Sequence, residues 1–217
     1  GKSMTGSKLE ILSVILNSND DVIILDPMHE YKDTCTALNG QFIEISSEAK
    51  NYINPLDCDV KNLVMSNGET IFDDDDIDDS NDIRKVIASK SRILSGICEH
   101  VMENEFRPAH KSIIDRCVNQ LFYSIINVPV EERTVPILRD FYELLKKQED
   151  EAAHELVLPL EAYVDGSLNV FNHRTTIDVN SRLTAYGIRD LGEDLESVGM
   201  LITLTNISQR IQQNAAK

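Results

Sequence analysis

The sequence predicts an α/β fold with an all-α helical lobe set into it, and three stretches carry that expectation. Residues 3–45 alternate helix, strand, helix and strand with short connections. Residues 83–164 hold four amphipathic helices in succession, and residues 181–188 return to extended character ahead of a long final helix.

In the first stretch Leu9, Leu12, Ile15 and Leu16 recur at helical spacing, and the turn formers NSNDD at 17–21 break the pattern. Residues 22–25 (VIIL) form a short apolar run bounded by Asp21 and Asp26-Pro27, which suits a strand buried on both faces of a parallel sheet. A helix over 28–38 stops at Asn39-Gly40, and 41–45 reads as a second strand. Residues 58–80 are polar and acidic, a boundary loop. Beyond it Ile83, Val86, Ile87, Ile93, Leu94, Ile97, Cys98 and Val101 lie mostly on one broad helical face. Ile113, Ile114, Cys117, Val118, Leu121, Phe122, Ile125 and Ile126 mark the next helix at i, i+1, i+4, i+5. Thr134 ahead of Pro136 resembles a helix start, with Leu138, Phe141, Tyr142 and Leu145 behind it. The fourth helix spans 149–164, with a kink or break expected at Pro159 and an end at Asp165-Gly166. Residues 193–213 then form a long helix with Leu195, Val198, Ile202 and Ile207 inward.

Composition narrows the function classes. Apolar residues make up 41% of the 217 residues, enough for a core, but Trp is absent and aromatics reach only 6%, so that core must be mostly aliphatic. No apolar run approaches the ~18–20 residues of a membrane helix, and nothing resembles a signal peptide; a soluble, intracellular chain is expected. Four scattered cysteines without a C-x-x-C pair argue against disulfides and against structural zinc, and Cys98 and Cys117 read as buried thiols in a reducing cytoplasm. The net charge of −16 opposes a phosphate-gripping surface, so direct nucleic-acid binding is not expected. Much of that charge sits at 73–79, which reads as a solvated loop. An EF-hand would need Gly and Glu at its sixth and twelfth positions, and neither is in register.

Gly1-Lys2-Ser3 supplies the last three positions of a G-x-x-x-x-G-K-[ST] phosphate-binding loop. In such a loop backbone amides and a helix N-terminus cradle phosphate, Lys contacts the β/γ-phosphates and the hydroxyl holds Mg²⁺. A helix following at once, and a buried strand ending in Asp26, fit that context. From the residues alone the same three positions also read as a helix N-cap formed by Ser3.

Several stretches together are more specific. GKSMTGSKLEI (1–11), DVIILDPMHEY (21–31), GQFIEIS (40–46) and NYINPLD (51–57) resemble the opening of the ATPase domain of TraC/TrbE-type conjugation and type IV secretion motors. That family lies in the HerA/FtsK branch of P-loop ATPases. RPAHKSIIDRCV (107–118), TVPILRDFYELL (134–145), 166–192 and 199–217 are similar to versions carried by conjugative elements of Gram-positive bacteria, so the resemblance covers nearly the whole chain. It implies a partial RecA-like parallel sheet with an inserted all-α lobe. The corresponding parts are an ATPase-core segment at 1–57, an acidic linker at 58–82, the insertion at 83–166 and a return to the core at 167–217.

Carried over by resemblance, Gly1, Lys2, Ser3, Met4 and Thr5 would bind ATP, with Lys2 on phosphate, Ser3 on Mg²⁺, and Met4 and Thr5 presenting amides or a hydroxyl. Glu30 would sit near the γ-phosphate or a neighbouring subunit, and Asp26 would orient the loop. Read as residues only, Asp26-Pro27 is a strand-terminating turn and Glu30 an acid favoured at a helix N-terminus. Lys8, Glu10, Pro27 and Tyr31 also match the family pattern, but Lys8 and Glu10 are two apart on a helix and do not face each other. His29 reads as a surface variant, Arg174 as an exposed loop residue, and Pro159 as a departure from the family.

The resemblance further implies that the acidic Walker B strand would follow Lys217, so that these residues alone would not hydrolyse ATP. The parent would work as a hexamer with other secretion or conjugation proteins, in the cytoplasm or at the inner face of the cell membrane. A DNA-translocating motor of the same branch and a non-catalytic helical interaction module are the competing classes.

Overall fold

Three short parallel strands, β1 (Val22–Asp26), β2 (Gln41–Glu44) and β3 (Leu183–Gly187), form a sheet in the order β1-β3-β2. This is the computed structural model of the chain; it describes residues 2–46, 48, 50–65, 82–177 and 181–215, apart from the side chains at 2–5, 193–194, 209–210 and 212–215. The acidic run at 73–79 lies outside the described residues. β3 is central because it alone is closed to water on both faces: all five of its residues are buried. Its register pairs Ile24 and Phe42 with Ala185, and Asp26 and Glu44 with Gly187. The two helices that flank this sheet in sequence are α1 (Lys2–Asn17) and α2 (Lys32–Ala37).

Cys35 of α2 packs with Leu183 and Ala185, and Ile11, Ile15, Val22, Ile24, Leu38 and Phe42 close round them. Ile11 and Ile15 are one helical turn apart and so share a face. Leu9 and Leu16 lie off that face and are 62% and 71% exposed, so only part of the apolar spacing on α1 marks its buried side. The turn Asn39-Gly40 needs its glycine because a Cβ at Gly40 would run into the side chain and carbonyl of Leu183. Arg182, just ahead of β3, donates to the carbonyls of Ile15, Ser18 and Asp20, which satisfies the C-terminal end of α1 and fixes the turn into β1. Arg182→Ala is expected to lower unfolding free energy by about 1–2 kcal/mol, read by urea denaturation; a change under ~0.3 kcal/mol would show the clamp to be idle.

Clustering of contacts divides the chain into one unit of residues 1–52 and 176–207 and a second of 53–175 and 208–217. The first holds the sheet, α1, α2 and most of α7 (Glu193–Ala215), where Leu195, Val198, Ile202 and Ile207 are buried as their spacing predicts.

The second unit is built from α3 (Ile83–Met102), α4 (Pro108–Ile126), α5 (Leu138–Lys146) and α6 (Glu151–Val164). The apolar face of α4 is buried through Phe122, while Ile125 and Ile126 are half-buried. α3 buries the expected residues except the half-buried Val101, and it adds Lys90 at 1% exposure. Arg133 donates to the carbonyls of Val60, Leu63, Ile126 and Val128, tying the segment ahead of α3 to the end of α4.

Two expectations are corrected here. α5 starts at Leu138, not at Thr134: the Ile137 N–H is capped by the Asp140 carboxylate at 2.8 Å. α6 runs unbroken through Pro159, which sits half-buried beside the exposed Leu158 and withholds one hydrogen bond from the carbonyl a turn earlier. No helix among the described residues is long and apolar enough to cross a membrane.

Candidate functional site

α1 precedes β1 and packs against it, so it runs antiparallel to the strands and its N-terminus lies at their carboxyl ends. That edge is where open α/β sheets bind ligands. The first turn of α1 holds no acidic residue to offset the partial positive charge of its N-terminal amides. Gly1 and the side chains of Lys2, Ser3, Met4 and Thr5 lie outside the described residues.

The chain leaves β1 through Asp26, a 3% exposed carboxylate. Its two oxygens accept from the backbone N–H groups of Glu30 at 2.9 Å and Tyr31 at 2.8 Å. Asp26 therefore shapes the turn, with its acceptors occupied by main chain. The turn leaves Glu30 exposed at the carboxyl edge. Lys8, which had no role from sequence alone, lies 6.0 Å from the centroid of the Tyr31 ring and links α1 to this turn. Position 30 thus stands beside the N-terminal half of α1.

His29 is not the surface variant that the sequence suggested. Its backbone is left-handed at φ 57°, and its side chain is only 10% exposed. The ring stands edge-on to Phe42 with centroids 5.1 Å apart, over Gly187. A Cβ at Gly187 would collide with both rings, so the glycine that ends β3 makes the room for His29. A glycine inside a strand is the sequence signal of such close approach, but the sequence does not say which residue approaches. Lys32 pairs with Glu44 at 3.1 Å across this surface.

The thiols take no part. All four cysteines are free, and burial pushes Cys98 up to about 12 and Cys117 to about 11. Burial, and then the Asp26 charge, also raise Cys35. Arg174 is exposed in a segment without regular structure.

The helical unit carries its own polar groups. His110 is fully buried; its Nδ1 accepts from the Arg107 N–H at 3.0 Å and its Nε2 faces Glu155 at 2.7 Å. Accepting at Nδ1 places the proton of neutral His110 on Nε2. His110 and Arg107, both bonded to Glu155, hold that carboxyl below the usual range.

No protein-family model matches the chain, and no curated protein matches it by sequence. Among solved structures it is similar to VirB4 of Thermoanaerobacter pseudethanolicus, with a TM-score of 0.71 at 17% identity over 98% of this chain and 76% of that one. The chain therefore has the fold expected from its sequence, a partial RecA-like parallel sheet with an inserted helical lobe.

Proposed function

We propose that the chain is part of an ATP-hydrolysing motor of conjugation or type IV secretion. The observation that carries this reading is the placement of the N-terminus of α1 at the carboxyl edge of the sheet, beside the Asp26–Tyr31 turn. The likeness of its fold to a VirB4 structure supports the same reading.

Phosphate fits the α1 end, because the first turn has no acidic side chain to repel it. Gly1 and the amides of Met4 and Thr5 would cradle the β-phosphate, Lys2 would contact the β/γ oxygens, and Ser3 would hold Mg²⁺. Bound Mg²⁺ supplies neutralisation of the charge that develops on the phosphates. Glu30 would face the γ-phosphate or a neighbouring subunit from the turn that Asp26 fixes. Catalysis of this kind is positioning and charge stabilisation. Domain roles follow the sequence expectation: core segments at 1–57 and 167–217, an acidic linker at 58–82, and a helical insertion at 83–166. The working assembly would be a hexamer with other secretion proteins at the cytoplasmic face of the membrane. A DNA-translocating motor of the same branch needs a basic channel, which a net charge of −16 opposes.

The 217 residues supply only the last three positions of the phosphate loop, so the test uses a protein extended at both ends. Steady-state phosphate release from Mg²⁺-ATP should fall at least about 10²-fold in Lys2→Ala, the scale on which one transition-state donor counts. A purely helical interaction module would leave Lys2→Ala indistinguishable from the parent.

A further inference from the structure

Three side chains with metal-ligating atoms converge at the carboxyl edge, one from the end of each strand. His29 comes from the turn after β1, Glu44 is the last residue of β2, and Asp190 follows β3. One ligand atom from each lies within 4.8 Å of the other two. We propose that His29, Glu44 and Asp190 form a binding site for a divalent transition-metal ion of the zinc and cobalt class. This inference stands apart from the nucleotide reading, and its test contains no nucleotide.

Register explains the convergence. Glu44 pairs with Gly187, and in a parallel pair partnered residues point to the same face. The face of Gly187 is the one that His29 occupies, so the Glu44 carboxylate and the imidazole share it. Asp190 approaches from the next turn, with Oδ2 3.8 Å from His29 Nδ1, too far for a hydrogen bond.

The His29 ring also carries an unsatisfied atom, Nε2. It is buried without a hydrogen-bond partner, on a side chain nine-tenths buried. Its backbone is also left-handed, a conformation that a non-glycine residue adopts at a cost. The orphan Nε2 belongs to the ring whose Nδ1 faces Asp190, and a metal held at Nε2 would satisfy it.

One imidazole and two carboxylates suit borderline divalent ions and leave an open position for water. Mg²⁺ prefers an all-oxygen octahedron and is a poor match. Tetrahedral ligation at ~2.0–2.2 Å needs donor atoms about 3.3–3.6 Å apart. Glu44 and Asp190, at 34% and 52% side-chain exposure, can close that gap by rotation. The Lys32 ammonium now occupies the Glu44 carboxylate and is itself 52% exposed, so it would swing away as metal enters. Lys32 is thus a competitor for the site, and its removal should favour the metal.

The test titrates Co²⁺ into the 217-residue chain and reads visible d–d absorption, with Zn²⁺ as competitor. One Co²⁺ should bind per chain, be displaced by Zn²⁺, and persist in 10 mM Mg²⁺. His29→Gly keeps the left-handed backbone and should weaken binding at least about 10-fold, the scale on which even the outer-shell partners of metal ligands count. Lys32→Ala should tighten it about 2- to 5-fold by removing the competing cation. Should His29→Gly fail to fold, the exposed Asp190→Asn answers the same question. No 1:1 binding by 1 mM Co²⁺, or equal binding in His29→Gly or Asp190→Asn, overturns the proposal. So does Lys32→Ala that weakens or does not change binding.

Discussion

Phe141→Ala in the helical unit should lower unfolding free energy by about 3–5 kcal/mol. Phe141 is fully buried on α5, a helix of only nine residues, four of which (Leu138, Phe141, Tyr142 and Leu145) face inward. α5 packs on α4 and α6, so removal of the ring opens a cavity that a nine-residue helix cannot close by small shifts. The composition sharpens the effect. With no Trp and six Phe in the whole chain, few side chains have the volume to fill such a gap. Urea denaturation followed by far-ultraviolet circular dichroism gives the measurement. A loss below ~1.5 kcal/mol would mean that the unit repacks, and that α5 is not the wedge its burial indicates.

The second large effect is a pH dependence written into Lys90. This lysine is 1% exposed on α3 and donates to the Asp57 carbonyl. Burial lowers its pKa from 10.5 to about 8, partly offset by the neighbouring Asp57 charge. Below pH 8 the folded chain holds a buried ammonium, and the full penalty is present. Between about 8 and 10.5 the unfolded chain holds more protons than the folded one, so this group makes stability rise with pH. The interval corresponds to about 3 kcal/mol. Lys90→Met has no such titration. The unfolding free energy of the parent relative to Lys90→Met should therefore climb by up to about 3 kcal/mol from pH 7.5 to 10.5. A flat difference would show that Lys90 titrates at its ordinary value.

Lys90 also marks where the sequence stops being legible. The apolar face of α4 was readable because the 3.6-residue period puts Ile113, Cys117 and Leu121 on one line, and burial follows that line. Lys90 falls on the equivalent inward line of α3, but a lysine there reads as a break in the pattern until the Asp57 carbonyl, 33 residues earlier, is seen to receive it. β1 was readable from its β-branched run and β3 from the extended character of 181–188. The strand order β1-β3-β2 was not, because it depends on a segment near residue 183 inserting between two strands that are neighbours in sequence. His29 was misjudged for the same reason: its burial is made by Phe42 and Gly187, and nothing local to D-P-M-H-E-Y announces them. Asp26 was legible as a turn former, since an Asp before Pro at a strand end is read from local chemistry, and its carboxylate caps two amides of that turn. Lys8 gained a contact only when Tyr31 folded back beside α1.

The most direct measurement is equilibrium binding of Mg²⁺-ATP to the extended protein, compared with Lys2→Ala. The motor reading predicts one nucleotide per chain, dependent on Mg²⁺, with affinity reduced at least about 10-fold in Lys2→Ala, as expected for loss of a charged contact to phosphate. Binding that is absent, or equal in the two proteins, would contradict a phosphate site at the start of α1.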